Sequence, residues 1–289
     1  MFTAFYIIIN ILSYLLPARV AYFIVKLIVI MVYYLVYRKG RKNIEKNISC
    51  VFGDTLETWR KEKIIRETFI NFGLLIYEFL MMRRLKQENF REYCNPVGFE
   101  NVQRAIERGK GVIIITGHLG NYEWGAAMVA RLGYSPSVVA TGFKNDYITN
   151  FYYTRRMQQG LEVIYLEDAV RKTLRKMKKN GIVCIVGDRD YTKDGVAVEF
   201  FGKITKFPAG AILMALRTGA ALIPAFAIRA GICKYNVFFG DEIKLESKGY
   251  RVEEMKEDLM KWVRVMESYV RQYPAQWYRF EPFWEPEKE

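Results

Sequence analysis

Two patterns of apolar and polar positions divide the chain: a strongly apolar amino-terminal part, then a longer part in which short apolar runs alternate with amphipathic ones. Residues 5–16 form an apolar run ending at Pro17, and residues 20–37 form a second, interrupted only by Lys26. The second is at the lower limit of length for crossing a bilayer, whereas the first is too short and suits an interfacial or re-entrant segment. Neither carries the basic leader and small-residue cleavage site of a secretory signal. Residues 59–86 hold a helical period through Ile64, Ile65, Ile70, Leu74, Leu75, Tyr77 and Phe79. Residues 87–98 read as a connection and residues 101–108 as a short helix.

From residue 111 the period switches repeatedly. Strands are predicted at 112–115, 136–141, 163–166, 182–187, 196–201, 221–228 and 235–239. Helices are predicted from Asn121, over 146–160, 169–180 and 208–217, and from about 251 to 273. This alternation predicts an α/β fold with a mostly parallel central sheet flanked by helices on both faces. An amino-terminal hydrophobic, membrane-associating helical segment precedes it. Residues 1–42 are read as the anchor, hydrophobic helices plus the basic flank Arg38, Lys39, Arg41 and Lys42, and residues 43–289 as the folded domain. A basic flank favours anionic head groups on the cytoplasmic face of the inner membrane. The competing reading of the anchor is a pair of hydrophobic core helices.

Composition narrows the function. With 51% hydrophobic and 15% aromatic residues the chain is not disordered. A formal charge of +13 asks for an anionic partner: nucleic acid, a phosphorylated substrate or an acidic lipid surface. The apolar amino terminus, and the lack of any RNP, KH or helix-turn-helix signature, argue against nucleic acid. Four cysteines without a CxxC pair read as free thiols, and with a single histidine they argue against zinc.

That single histidine, His118, lies between the apolar run 112–115 and the helix start at Asn121, where open α/β sheets place their ligands. Glu123 follows five positions later. A neutral imidazole can take a proton from a hydroxyl, and a carboxylate behind it fixes its tautomer. Spacing alone decides little, because 31 acidic residues in 289 put a carboxylate at about one position in nine. Catalysis and a helix-capping turn stay equally open at this point.

The surrounding blocks add to this. Gly117-His-Leu-Gly-Asn-Tyr-Glu123 resembles the H-x4-D/E block of glycerolipid-type acyltransferases, in the variant of the bacterial lipid A late acyltransferases (lauroyl and myristoyl transferases). That group includes phosphatidylinositol mannoside acyltransferases. Arg156-x-x-x-Gly160 resembles the second half of the family's next block, although Phe143 and Lys144 depart from its first half, around Asn145. Asp188-Arg-Asp190, followed by Gly195-Val-Ala-Val-Glu-Phe-Phe-Gly202 and Pro208-Ala-Gly210, resembles the third.

The resemblance covers roughly residues 40–285 and implies a membrane-associated O-acyltransferase. The donor implied is an acyl thioester on acyl carrier protein or coenzyme A, and the acceptor a glycolipid hydroxyl. A glycerophospholipid or lysophospholipid acceptor, or a non-catalytic lipid-binding protein, is the alternative. It further implies His118 as general base with Glu123 orienting it, and Arg156 on a phosphate or the oxyanion. Asn145, Asp188, Arg189 and Asp190 are expected to support the site, and Glu199, alternating with apolar neighbours on the 196–201 strand, is read as entering the cleft. No cofactor and no metal are expected. The aromatic tail 277–284 is read either as resting on the membrane interface or as docking on the fold.

Overall fold

The computed structural model describes residues 16–284 apart from 36 and 252; all but the last residue of the apolar run at 5–16 lies outside them. Two helices open the described chain, α1 (Ala18–Leu35) and α2 (Arg38–Phe52), followed by the long α3 (Thr58–Met81) and the single turn α4 (Phe90–Tyr93). Strand β1 (Cys94–Val97), helix α5 (Glu100–Glu107), β2 (Val112–Thr116) and α6 (Tyr122–Arg131) come next. They lead into β3 (Ser137–Ala140), α7 (Asp146–Gln158), β4 (Glu162–Tyr165), α8 (Ala169–Met177) and β5 (Ile182–Val186). The hairpin β6 (Val196–Phe200) and β7 (Lys203–Phe207), then α9 (Gly210–Thr218), β8 (Ala221–Gly231), β9 (Lys234–Phe239) and α10 (Lys256–Gln272) complete the chain.

Seven strands form one sheet in the order β1-β9-β8-β2-β5-β3-β4, and β8–β9 is its only antiparallel pairing among the described residues. Strand β2 is central and buried at every position, as a strand covered on both faces must be. Its side chains alternate: Ile113 and Ile115 enter one core with Trp262 and Met266 of α10, while Val112 and Ile114 enter another with Phe79 of α3 and Trp124 of α6. The α/β architecture expected from the alternation is therefore present, with helices on both faces.

Four features were not visible as periodicity. Strand β1 falls in the segment read as a connection; it is a four-residue edge strand containing Pro96, and proline suits an edge. Strand β7 falls between the predicted strand 196–201 and the predicted helix 208–217, and it closes a hairpin with β6 that stands apart from the main sheet. Helix α10 begins at Lys256, not 251. Helix α2 runs unbroken through position 42; its buried residues Gly40, Ile44, Asn47, Ile48 and Val51 keep one helical face across the expected domain boundary.

Helix α1 lies antiparallel along α3. The Tyr22 ring packs 6.0 Å from Tyr77, Val25 and Val29 fit over Gly73, and Tyr33 meets Phe69 at 5.2 Å. A side chain at position 73 would stand 2.4 Å from Val29, so glycine sets the helix spacing there. At the other terminus Trp277, Tyr278, Phe283 and Trp284 are buried, and Trp284 stacks on Phe200 at 5.7 Å. Of the two readings of this aromatic tail, docking on the fold is the observed one.

Candidate active site

Register builds the centre of the site. Strands β2 and β5 are parallel neighbours with Thr116 opposite Val186. Continuing that register two residues past the strand ends places His118 beside Asp188. The imidazole Nδ1 lies 2.6 Å from Asp188 Oδ1, and the His118 main-chain N–H donates to Oδ2 at 3.0 Å. One carboxylate thus fixes both the ring and the backbone of residue 118. The Asp188 side chain is 1% exposed and that of His118 14%, so the acid is sealed while the ring stays reachable. Burial alone would raise the Asp188 carboxyl, but the His118 charge, its hydrogen bonds and Arg189 outweigh it and hold the carboxyl down to about 2.

Each of these two residues follows a glycine, and packing explains both. A Cβ at Gly117 would meet Met266 at 2.5 Å, and one at Gly187 would meet Ile115 at 2.9 Å. Trp262 Nε1–H donates to the Gly187 carbonyl at 3.0 Å, so α10 clamps the floor of the site from beneath.

The loop after His118 is held from three sides. Tyr278 N–H donates to the His118 carbonyl at 2.8 Å, Gly120 N–H to Gln276 at 2.9 Å, and Asn121 N–H to Ala227 at 2.8 Å. Gly120 has φ +67°, and a Cβ there would lie 2.0 Å from the Ala227 oxygen, so no other residue fits. Asn121 caps α6 as the sequence suggests, its Oδ1 accepting from Trp124 N–H at 3.1 Å.

Glu123 has a different partner from the one expected. It sits in the first turn of α6 and receives two hydrogen bonds from Arg156 of α7, at 2.6 and 3.0 Å. The helix turn carries its carboxylate toward α7, and the strand register gives His118 its carboxylate from Asp188 instead. Arg156 is correspondingly committed: it is paired with Glu123 and lies over the Tyr152 ring at 5.6 Å. It clamps two helices together, and its side chain keeps 13% exposure, about that of His118, on a wall shared with Tyr152 and Tyr153.

The remaining residues singled out from sequence separate into two groups. Arg189 stays with the centre, its Nη2 donating to the Tyr278 carbonyl at 2.6 Å. Asp190 shapes the following loop, accepting from Gly195 N–H at 2.9 Å and Thr192 Oγ1 at 3.2 Å. Asn145 is exposed and caps α7, accepting from Ile148 N–H at 3.2 Å. Glu199 faces solvent, because Val198 and Phe200 on either side take the buried face of β6. The expectation that it enters the cleft is corrected by that alternation.

A buried network behind the loop escaped the sequence reading. Glu78, fully buried near the end of α3, accepts from Tyr22, Tyr235 and Arg229, and from Asn121 Nδ2 at 3.1 Å. Its main-chain carbonyl accepts from Trp124 Nε1–H at 3.0 Å. The one available signal was a lone acid inside the apolar run Leu74-Leu-Ile-Tyr-Glu-Phe-Leu-Met81. A charge there must be paired, but its partners come from four distant segments.

Comparison with known proteins supplies the family. Residues 1–285 match the profile of the bacterial lipid A biosynthesis acyltransferases. A phosphatidylinositol mannoside acyltransferase of Mycolicibacterium smegmatis is 25% identical over 190 residues, 64% of this chain and 62% of that protein. One from Mycobacterium tuberculosis is 29% identical over 150 residues, 49% of this chain and 48% of that protein. The lipid A biosynthesis palmitoleoyltransferase of Escherichia coli is 22% identical over 222 residues, 75% of this chain and 70% of that protein. The chain thus spans less than two thirds of the length of the mycobacterial relatives it matches. With the family's profile covering nearly the whole chain, and the histidine block at the carboxyl end of a central parallel strand, this protein belongs to the bacterial lipid A biosynthesis acyltransferase family.

Proposed function

We propose that this protein transfers a fatty acyl chain from a thioester, carried by acyl carrier protein or coenzyme A, to a glycolipid hydroxyl at the cytoplasmic face of a membrane. The observation that carries the reading is the 2.6 Å contact between His118 Nδ1 and Asp188. A proton on Nδ1 satisfies the carboxylate and leaves Nε2 as the acceptor, the tautomer a general base needs. The acceptor hydroxyl gives its proton to Nε2 as its oxygen attacks the thioester carbonyl. The tetrahedral intermediate expels the thiolate, and the imidazolium, stabilised by Asp188, returns the proton to sulfur. No enzyme-bound acyl group is needed, and no metal enters the scheme. The names of the relatives support a glycolipid acceptor of lipid A precursor or phosphatidylinositol mannoside type.

Membrane attachment is supported by α1, an 18-residue helix of mean hydropathy 1.9, and by the +13 charge. Basic residues near a bilayer surface are drawn to anionic lipid.

The test is lipid mass spectrometry of cells overexpressing the wild type beside His118→Ala. Loss of a general base costs about 10²–10⁴-fold, so one lipid class is expected to gain an acyl chain with the wild type alone. An equal gain with folded His118→Ala would sink the mechanism. Transfer to a lysophospholipid in place of a glycolipid would move the acceptor class and leave the chemistry intact.

A further inference from the structure

Arg156 is paired with Glu123, and two further arginines stand on the segments that hold His118 in place. Arg189 follows Asp188 directly at the end of β5. Arg279 follows Tyr278, the residue whose N–H holds the His118 carbonyl and whose carbonyl receives Arg189 Nη2. Both Nε groups are buried and have no hydrogen-bond partner among the described residues. Nη2 of each is taken, Arg189's by the Tyr278 carbonyl and Arg279's by the Pro282 carbonyl at 3.3 Å with its guanidinium over the Phe283 ring at 5.0 Å. The buried Nε donors that remain are costly to leave unpaired and are best satisfied by an anion. We propose that Arg189 and Arg279 form an anion site that takes a phosphoryl group of a substrate while His118 acts on its reacting end.

The segment bearing Arg279 is built to stay in place. Asn47 of α2 donates to the Arg279 and Glu281 carbonyls at 3.1 and 2.9 Å and accepts from Phe283 N–H at 2.9 Å. Asn43 holds the Phe280 carbonyl at 2.9 Å. Trp277 and Tyr278 are buried just before it. The fixed backbone preorganises the guanidinium instead of letting it sweep the surface.

Asp188 already serves His118, and Glu281, the other carboxylate whose charge reaches both arginines, is exposed. Burial first, and the neighbouring Arg189 charge second, hold the Arg279 guanidinium below its ordinary value. An anion placed between them relieves that repulsion. The fork geometry of two guanidinium groups suits a phosphoryl dianion. The chemistry is shared by the phosphorylated arm that carries the thioester and by a phosphorylated acceptor lipid.

This site rests on the acyl-transfer reading for its meaning but not for its existence, so binding and turnover are measured separately. Sodium pyrophosphate is titrated by calorimetry into the full-length detergent-solubilised protein. Arg279→Gln is expected to weaken binding about 10-fold to 100-fold, Arg279→Lys less, and His118→Ala hardly at all. Exposed Arg171→Gln should match the wild type. No pyrophosphate binding by the wild type, or unchanged affinity in Arg279→Gln, overturns the site. Should Arg279→Gln fail to fold, the Lys variant decides: affinity equal to wild type in it, together with unchanged KM values, overturns the proposal.

In turnover, a raised donor KM with kcat retained in Arg279→Lys assigns the phosphoryl group to the thioester carrier. A raised acceptor KM assigns it to the lipid. Binding lost on substitution in a protein that transfers no acyl group would keep the site and end the enzyme reading.

Discussion

In the proposed mechanism Asp188 is the residue on which the chemistry turns, because one buried carboxylate holds both the ring and the main chain of His118. Asp188→Asn keeps the shape but offers an amide where Nδ1–H needs an acceptor, favouring the wrong tautomer. Loss of such an orienting carboxylate costs about 10⁴-fold in kcat, read in the acyl-transfer assay with KM little changed. A second readout is pH-dependent stability. The folded carboxyl is held down to about 2 against an ordinary 3.8, so its stabilisation is complete above about pH 4 and is lost as pH falls toward 2. That contribution, roughly 2 kcal/mol, should vanish from the acid limb of unfolding in Asp188→Asn; an unchanged limb would show that the pair carries no such linkage. The sequence made His118 conspicuous by rarity and placed Asp188 at a strand end. It could not say that β2 and β5 are neighbours, so the nearer acid, Glu123, was paired with the ring on sequence distance. Strand order is a tertiary fact, and periodicity does not encode it.

At the scale of elements, the same limit explains what stayed hidden behind the site. The alternation of apolar runs was enough to place the sheet strands that follow residue 111 and the helices that cover them. The Glu78 network was not legible, because it joins α1, α3, β8, β9 and the cap of α6 through side chains that sequence leaves far apart. Its energetics are those of a buried ion pair with added hydrogen bonds. Glu78→Leu leaves Arg229 buried and uncompensated, which costs about 3–5 kcal/mol. Urea unfolding should show that loss as a lowered midpoint. Adding Arg229→Leu should recover part of it, since an apolar pair removes the stranded charge. A single substitution costing under about 1 kcal/mol would mean the network is solvated and does not brace the Asn121 cap.

For the whole molecule, the question is how an 18-residue apolar helix sits relative to a domain it is packed against. Helix α1 meets α3 from Tyr22 through Tyr33, so one face is occupied along most of its length. The other face presents Phe23, Leu27, Met31 and Leu35 between 52% and 71% exposed. On the membrane attachment proposed above, a helix packed along one face in this way would lie in the interface plane with its outer face entering the lipid, as amphipathic interfacial helices do. An apolar ridge this long on a free surface otherwise invites aggregation. Removing residues 1–37 is a blunt test, because it also takes Tyr22 from the Glu78 network and uncovers α3. Changing only the outer face separates attachment from folding. Phe23→Glu, Leu27→Glu and Met31→Glu together should leave the melting temperature nearly unchanged and release the protein from vesicles containing anionic lipid. Burying each large apolar side chain is worth about 1.5–3 kcal/mol, so three lost anchors correspond to well over 100-fold in partition. High salt alone should release the wild type far less, since salt screens the Arg38, Lys39 and Lys42 flank but leaves the ridge in place. A triple variant that remains fully vesicle-bound at high salt would place the attaching surface elsewhere on the molecule.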